Sequence, residues 1–132
     1  MSTSEQVCVR EADTGPGLKA LGRALCLVRA RVAPDITAQR LAILLAVANH
    51  EGLSQRELLQ RLEGTSITAL SRNLADLSSL TSRKQAGPGL VELRTDPMNL
   101  RVKRVHLTER GRGQLRDLER AMAAKAGGDP EN

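Results

Sequence analysis

Between positions 66 and 80 the chain sets short polar side chains and one arginine at helical spacing. Thr68, Ala69, Arg72 and Asp76 share one face of a helix, with Ser71, Asn73 and Ala75 beside them. Little bulk on that face would let a helix sit deep in a major groove. Hydroxyls can bond phosphates or base edges, and a guanidinium can take a guanine bidentately. The same residues also suit an ordinary amphipathic helix with a solvated face. What surrounds them decides between the two.

Upstream, Ser54-Gln55-Arg56-Glu57 has the spacing of a capping box, with Leu53 and Leu58 placed for a hydrophobic staple. It predicts a helix to about position 62. Glu63-Gly64-Thr65 then turns the chain, and Thr65 or Ser66 caps a second helix running to about 80. Ile67, Leu70, Leu74 and Leu77 are expected to form its buried stripe. Downstream, 90–95 alternates as a half-buried strand, and Asp96-Pro97-Met98-Asn99 is turn chemistry. Residues 103–107 alternate again, with Val105 and Leu107 inward. Helix, turn, helix, basic loop and hairpin are the plan of a winged helix-turn-helix domain. The fold class expected is mainly α with a small β-hairpin wing (α+β).

The run Asp96-Pro97-Met98-Asn99-Leu100-Arg101-Val102-Lys103-Arg104-Val105-His106-Leu107-Thr108-Glu109-Arg110-Gly111 resembles the wing signature of the MarR family of bacterial transcription regulators. That signature is an acidic residue, a turn, a wing arginine, an apolar strand and Leu-Thr-x-x-Gly. Residues 66–74 are also similar to that family's recognition helix, and the likeness covers roughly 36–115. The chain departs from the pattern in three places. Residues 78–89 are longer than the usual short glycine turn, Asn99 stands where an acidic residue is common, and Leu100 stands where a second basic residue is common. These departures put it in a divergent branch, of plasmid or phage type. The resemblance implies a DNA-binding regulator whose terminal helices interlock into a dimer.

Charge fits that plan. Residues 83–112 hold eight Lys/Arg and three Asp/Glu, which accounts for the entire net charge of +5. An excess confined to one segment beside a helix-turn-helix reads as a phosphate-facing footprint. The expected DNA contacts are Ser54, Gln55, Ser66, Thr68, Ala69, Ser71, Arg72 and Asn73 from the two helices. The loop and wing add Arg83, Lys84, Arg94, Arg101, Lys103 and Arg104. Arg72 is the leading base reader. Arg101, just after the Pro97 turn, is placed to reach a minor groove, and Arg83 with Lys84 to track the backbone.

The flanks supply the remaining apolar seams. Gly15-Pro16-Gly17 breaks the chain before a helix of about 18–32, where Leu18, Leu21, Leu25, Val28 and Val32 step by threes and fours. Thr37 caps a scaffold helix to about 49, with Leu41, Leu44, Leu45 and Ala48 inward. Thr108 caps a last helix whose Leu115, Leu118 and Met122 continue a three-four spacing. Leu18, Leu21, Leu25, Val28, Leu115, Leu118 and Met122 are the expected dimerisation residues. The expected organisation is a flexible arm at 1–16, the winged domain with terminal dimerisation helices (about 17–33 and 109–126) at 17–126, and a loose tail at 127–132.

Composition excludes other classes. The chain has no Phe, Trp or Tyr, which argues against base-stacking single-strand binders and aromatic-platform RNA modules. It also argues against a small-molecule effector, since the pocket that the resemblance implies between dimer arms and reading domains often uses aromatic contacts. There is no phosphate loop, nucleophile motif or paired carboxylate of a catalytic kind, so no enzyme and no cofactor is expected. Cys8 and Cys26 lack metal-ligand neighbours, and His50 and His106 lie far apart, so no metal is expected and the thiols should be reduced. No signal-peptide core or bilayer-length apolar run is present, and a cytoplasmic, nucleoid-associated protein is expected. The expected partners are double-stranded DNA and a second copy of the chain, as a homodimeric repressor of a pseudo-palindromic site. Two other readings use the same fold: a winged-helix protein-interaction module, and a plasmid or phage DNA-maintenance protein for partition or replication.

Overall fold

A computed structural model describes residues 15–123. The expected tail at 127–132 lies outside them, as do Cys8 and all but the last two positions of the expected arm at 1–16. Thr37–Arg112 forms one compact unit; the described parts of Met1–Ile36 and Gly113–Asn132 form a second.

The first unit is the winged helix. Helix α2 spans Ala38–Asn49, capped by Thr37, whose Oγ1 accepts the Arg40 amide at 3.1 Å. Helix α3 spans Gln55–Leu59, and its capping box is complete. Ser54 Oγ accepts the Glu57 amide, while Glu57 Oε1 accepts the Ser54 amide at 2.9 Å. Helix α4 spans Ile67–Leu77, capped by Ser66. Strands β1 (Val91–Asp96) and β2 (Asn99–Leu107) pair antiparallel as the wing. Helix α4 packs on α2 and α3, and β2 meets both of the latter. Leu58, Leu70, Leu74, Leu77, Leu90, Val91 and Val105 are buried with Ile43, Leu44 and Val47. The core is therefore entirely aliphatic, as a chain without aromatic residues requires.

Several expectations shift. Helix α3 ends at Leu59 and not near 62, and β2 starts at Asn99 and not at 103. Helix α4 ends at Leu77, not near 80, because the Leu77 carbonyl accepts the Leu90 amide from across the chain at 2.7 Å and Ser78 Oγ folds back onto the Ala75 carbonyl. Residues 78–89 are not an open basic loop. Leu80 bridges Ala86, and the Thr81 amide donates to Gln85, so the segment is a small clasp. The buried face of α2 is Ile43, Leu44 and Val47; Leu45 is exposed and Leu41 and Ala48 are half-buried. That helix is apolar on nearly every side, so spacing alone does not select which side packs.

The wing joins α5 (Glu109–Ala123) through a tight corner. Thr108 donates its amide to Leu90 O at 3.0 Å and its hydroxyl to Gly89 O at 2.6 Å, and its Oγ1 accepts the Gly111 amide at 2.9 Å. The Leu-Thr-x-x-Gly motif is this corner. Glu51 braces it. It accepts both terminal nitrogens of Arg112, at 2.8 and 2.5 Å, and the Leu107 amide at 3.1 Å.

Four carboxyls in this unit are held below their ordinary range. For Glu51 the main cause is its bonding to Arg112, for Glu57 the Ser54 amide, and for Asp96 the Met98 amide. Burial pushes Asp76 up, but the Ser82 amide and hydroxyl and the Arg40 charge outweigh it. A lowered folded-state pKa adds stability that is complete above the unfolded value and vanishes as pH falls through the folded one. The urea midpoint should therefore be flat above about pH 5 and fall steeply below about pH 4. Glu51→Gln should lower the midpoint at neutral pH and converge on the wild type in acid. Parallel curves across the whole range would mean that the Glu51 pair does not contribute.

In the second unit, α1 spans Pro16–Arg31. It begins two residues before the expected start, because proline is favourable at the first helical position, where no amide is needed. Arg23 Nε donates to Ala121 O at 2.7 Å, and Arg31 pairs with Asp117. The seven expected dimerisation residues divide. Val28 and Leu118 are buried within the chain itself; Leu25 and Leu115 are half-buried; Leu18, Leu21 and Met122 are exposed. Cys26 is disulfide-bonded, against the expectation of reduced thiols. No described helix is long and apolar enough to cross a membrane.

Candidate nucleic-acid interface

Helix α4 displays its first two turns outward. Thr68, Ser71 and Arg72 are exposed and Ala69 is half-buried. The side chains of Thr68 and Arg72 make no hydrogen bond or ion pair with the rest of the described chain. Ser71 is different. Its hydroxyl donates to Gln55 Oε1 at 2.6 Å, tying α4 to the start of α3. The Ser54 and Ser66 hydroxyls accept amides as helix caps and keep their own protons available for an acceptor outside the chain.

Three positions on α4 are not as expected, among them Asp76, expected on the outer face but with its side chain only 17% exposed and paired with Arg40. Asn73 is buried, not on the outer face. Its Nδ2 donates to the Ala69 carbonyl at 2.9 Å and its Oδ1 accepts Arg40 Nε at 2.9 Å, while Arg40 Nη2 reaches Asp76 at 2.8 Å. The Arg40 fork thus locks α2 to α4. Ile67, expected in the buried stripe, is 42% exposed beside Thr68. A branched apolar side chain there suits contact with a thymine methyl. Asn73→Ala should cost about 1–2 kcal/mol of fold stability by leaving a guanidinium bond unmade. Equilibrium unfolding would measure that, and the variant's order of preference among duplexes should not change. A stability equal to wild type would return Asn73 to the outer face.

A shallow cleft of about 340 Å³ runs from the head of α3 to the wing, lined by Ser54, Gln55, Arg56, Arg101, Val102 and Lys103. It brings together four of the expected contacts from opposite ends of the sequence segment. It adds Arg56, which sequence reasoning passed over as part of the capping box. The other wing cations behave differently. Arg94 folds onto Glu92 at 2.6 Å, with both side chains about half exposed. Arg104 turns inward as a strut, donating to Gly52 O at 3.1 Å, Asp96 at 3.0 Å and Glu57 at 3.3 Å. The strut fixes the wing relative to α3. Gly52 can meet it because a positive φ of 94° lets its own amide turn back to Val105 O at 2.8 Å. Arg83 and Lys84 are exposed on the clasp, which is held to the end of α4 by Asp76 accepting the Ser82 amide and hydroxyl at 2.9 and 2.8 Å.

The backbone is similar in fold to several solved structures. The fold is the MarR-type winged helix. FabT of Streptococcus pneumoniae, solved in complex with DNA, is 20% identical with a TM-score of 0.55, over 70% of this chain and 59% of FabT. The transcriptional repressor CouR, bound to a 23-mer DNA duplex, is 23% identical at 0.56, over 80% and 66%. A mutant MarR from E. coli, complexed with operator DNA, is 24% identical at 0.55, over 79% and 69%. The chain thus spans less than two thirds of the length of FabT and of CouR. No family model and no curated protein matches the sequence. Within this fold the corner at Thr108 and Gly111 joins the end of β2 to the start of α5.

Proposed function

We propose that the chain is a sequence-specific double-stranded-DNA-binding transcriptional regulator, acting as a homodimeric repressor of a pseudo-palindromic operator in the bacterial nucleoid. The observation that carries this is the outward display of Thr68 and Arg72 on a capped helix, with no bonded partner among the described residues, beside a cleft lined by Arg56, Arg101 and Lys103. Base readers that hold no other bond, flanked by cations for phosphates, are what duplex reading needs. The expected contacts, joined by Ile67 and Arg56, then sort themselves. Thr68, Ala69, Arg72 and Ile67 read bases; Ser54, Gln55, Ser66, Arg56, Arg83, Lys84, Arg101 and Lys103 face the backbone or the minor groove; Arg104, Asn73 and Ser71 position the others, and Arg94 is held by Glu92. The DNA-bound states of FabT, CouR and the MarR mutant support the same use of the fold.

Selection of bound duplexes from a random pool, followed by footprinting, tests the reading. The expected result is one enriched inverted repeat whose half-sites lie about one helical turn apart. Binding without sequence preference, or binding only to an acidic protein, would overturn it. A site at an origin with none at a promoter would make it a DNA-maintenance protein. For the dimer, the exposed Leu18 and Leu21 on α1 are the natural contact. Leu18→Glu with Leu21→Glu should give a folded monomer by sedimentation, since neither side chain is needed for burial within the chain. A double variant that stays dimeric would exclude this surface.

A further inference from the structure

The outermost point of the wing is apolar. Met98 is 90% exposed and Leu100 74%, the two most exposed large apolar side chains among the described residues, with exposed Pro97 beside them. Scattered exposed apolar residues are ordinary. These are not scattered. They sit within four positions at the tip of a hairpin, inside the segment 83–112 that accounts for the net positive charge of the chain, with Arg101 and Lys103 close by in sequence.

The tip is also stiff. The ladder runs in register from Val91↔Leu107 to Thr95↔Lys103 and then jumps to Asp96↔Asn99, so residues 100–102 stand out of the ladder. Asp96 Oδ1 accepts the Met98 amide at 2.8 Å, and Asn99 Oδ1 accepts the Arg101 amide at 3.2 Å. Asp96 is in turn held by the Arg104 strut, which reaches back to Gly52 and Glu57. An apolar point this well braced cannot fold back to hide itself.

We infer that Pro97, Met98 and Leu100 form a wedge that enters the minor groove of the bound duplex, partly unstacks one base step and bends the DNA, with Arg101 and Lys103 holding the phosphates on either side. This rests on the duplex-binding reading above and adds a deformation of the DNA to it. Apolar side chains inserted from the minor groove between base steps gain burial that they lack in water, and flexible pyrimidine–purine steps yield most easily to them. The surrounding charge favours this occupant over an apolar protein surface, because docking on protein would bring Arg101 and Lys103 out of water without anionic partners.

The test uses the selected duplex, with fluorophores at its two ends and 2-aminopurine at the step that footprinting places under the wing. The wild-type protein should shorten the end-to-end distance and brighten the 2-aminopurine. Met98→Ser with Leu100→Ser should still bind, at least tenfold more weakly, and leave the duplex as straight and as dim as when free. Replacing the flexible step by an A-tract should weaken the wild type and not the double variant. An unchanged melting temperature checks that the variant is folded, and Met98→Leu should keep the bend. A wild type that binds without bending or brightening, or a double variant that bends the duplex fully, overturns the wedge and leaves duplex reading intact. A double variant that loses self-association in sedimentation but still bends DNA makes the tip a protein contact instead. Failure of the wild type to bind any duplex overturns both readings.

Discussion

Gly111→Ala should cost the winged unit about 3 kcal/mol, at the upper end of what forced overpacking does. A Cβ built on Gly111 would lie 2.2 Å from the Leu90 carbonyl oxygen, and backbone cannot swing aside as a side chain can. Leu90 has no slack to offer. Its carbonyl accepts the Thr108 amide, and its own amide is bonded to Leu77 at the end of α4. Relief would therefore break the corner that starts α5 or pull on the helix that carries the outer face. Urea unfolding of the variant should show a lower midpoint with an unchanged slope. A loss below about 1 kcal/mol would show that the corner relaxes freely.

Arg72→Ala is the largest effect expected on binding. Loss of a bidentate guanine contact costs about 1–3 kcal/mol on the preferred site and relaxes preference at one position of each half-site. Arg72 is exposed and unbonded, so the fold should be untouched and the melting temperature unchanged. Competition among single-base variants of the selected duplex reads out the discrimination. Equal weakening on every duplex would make Arg72 a phosphate contact and move base reading to Thr68 and Ile67.

How much of this could be read from the chain depended on the range of the interactions involved. The capping box at Ser54 and Glu57, the Thr37 and Ser66 caps and the turn at Pro97 are local, each satisfied within three or four residues, and the structure makes all of them. The Leu-Thr-x-x-Gly corner was visible as a pattern, although its reason, the approach of Gly111 to Leu90, was not. What escaped was decided at a distance. Asn73 reads as an outward polar residue until Arg40, 33 positions earlier, supplies its partner. Arg104 reads as one more wing cation until Gly52, Glu57 and Asp96 converge on it. The end of α4 depends on an amide 13 residues later, at Leu90. Ile67 fits the periodicity of the buried stripe, but periodicity does not say how far along a helix its cover extends.

The division of α4 into bonded and unbonded outer residues bears on how such a protein could change its target over generations. Among the described residues Thr68 and Arg72 hold no bonded partner, so on the proposed reading a substitution at either would alter what is read and leave the fold intact. Ser71 is different, because its hydroxyl is spent on Gln55. A lineage drifting towards a new operator would be expected to vary freely at 68 and 72. At 71 and 55 it should change only in compatible pairs, and a library randomised at all four positions should recover that linkage among its folded, binding members.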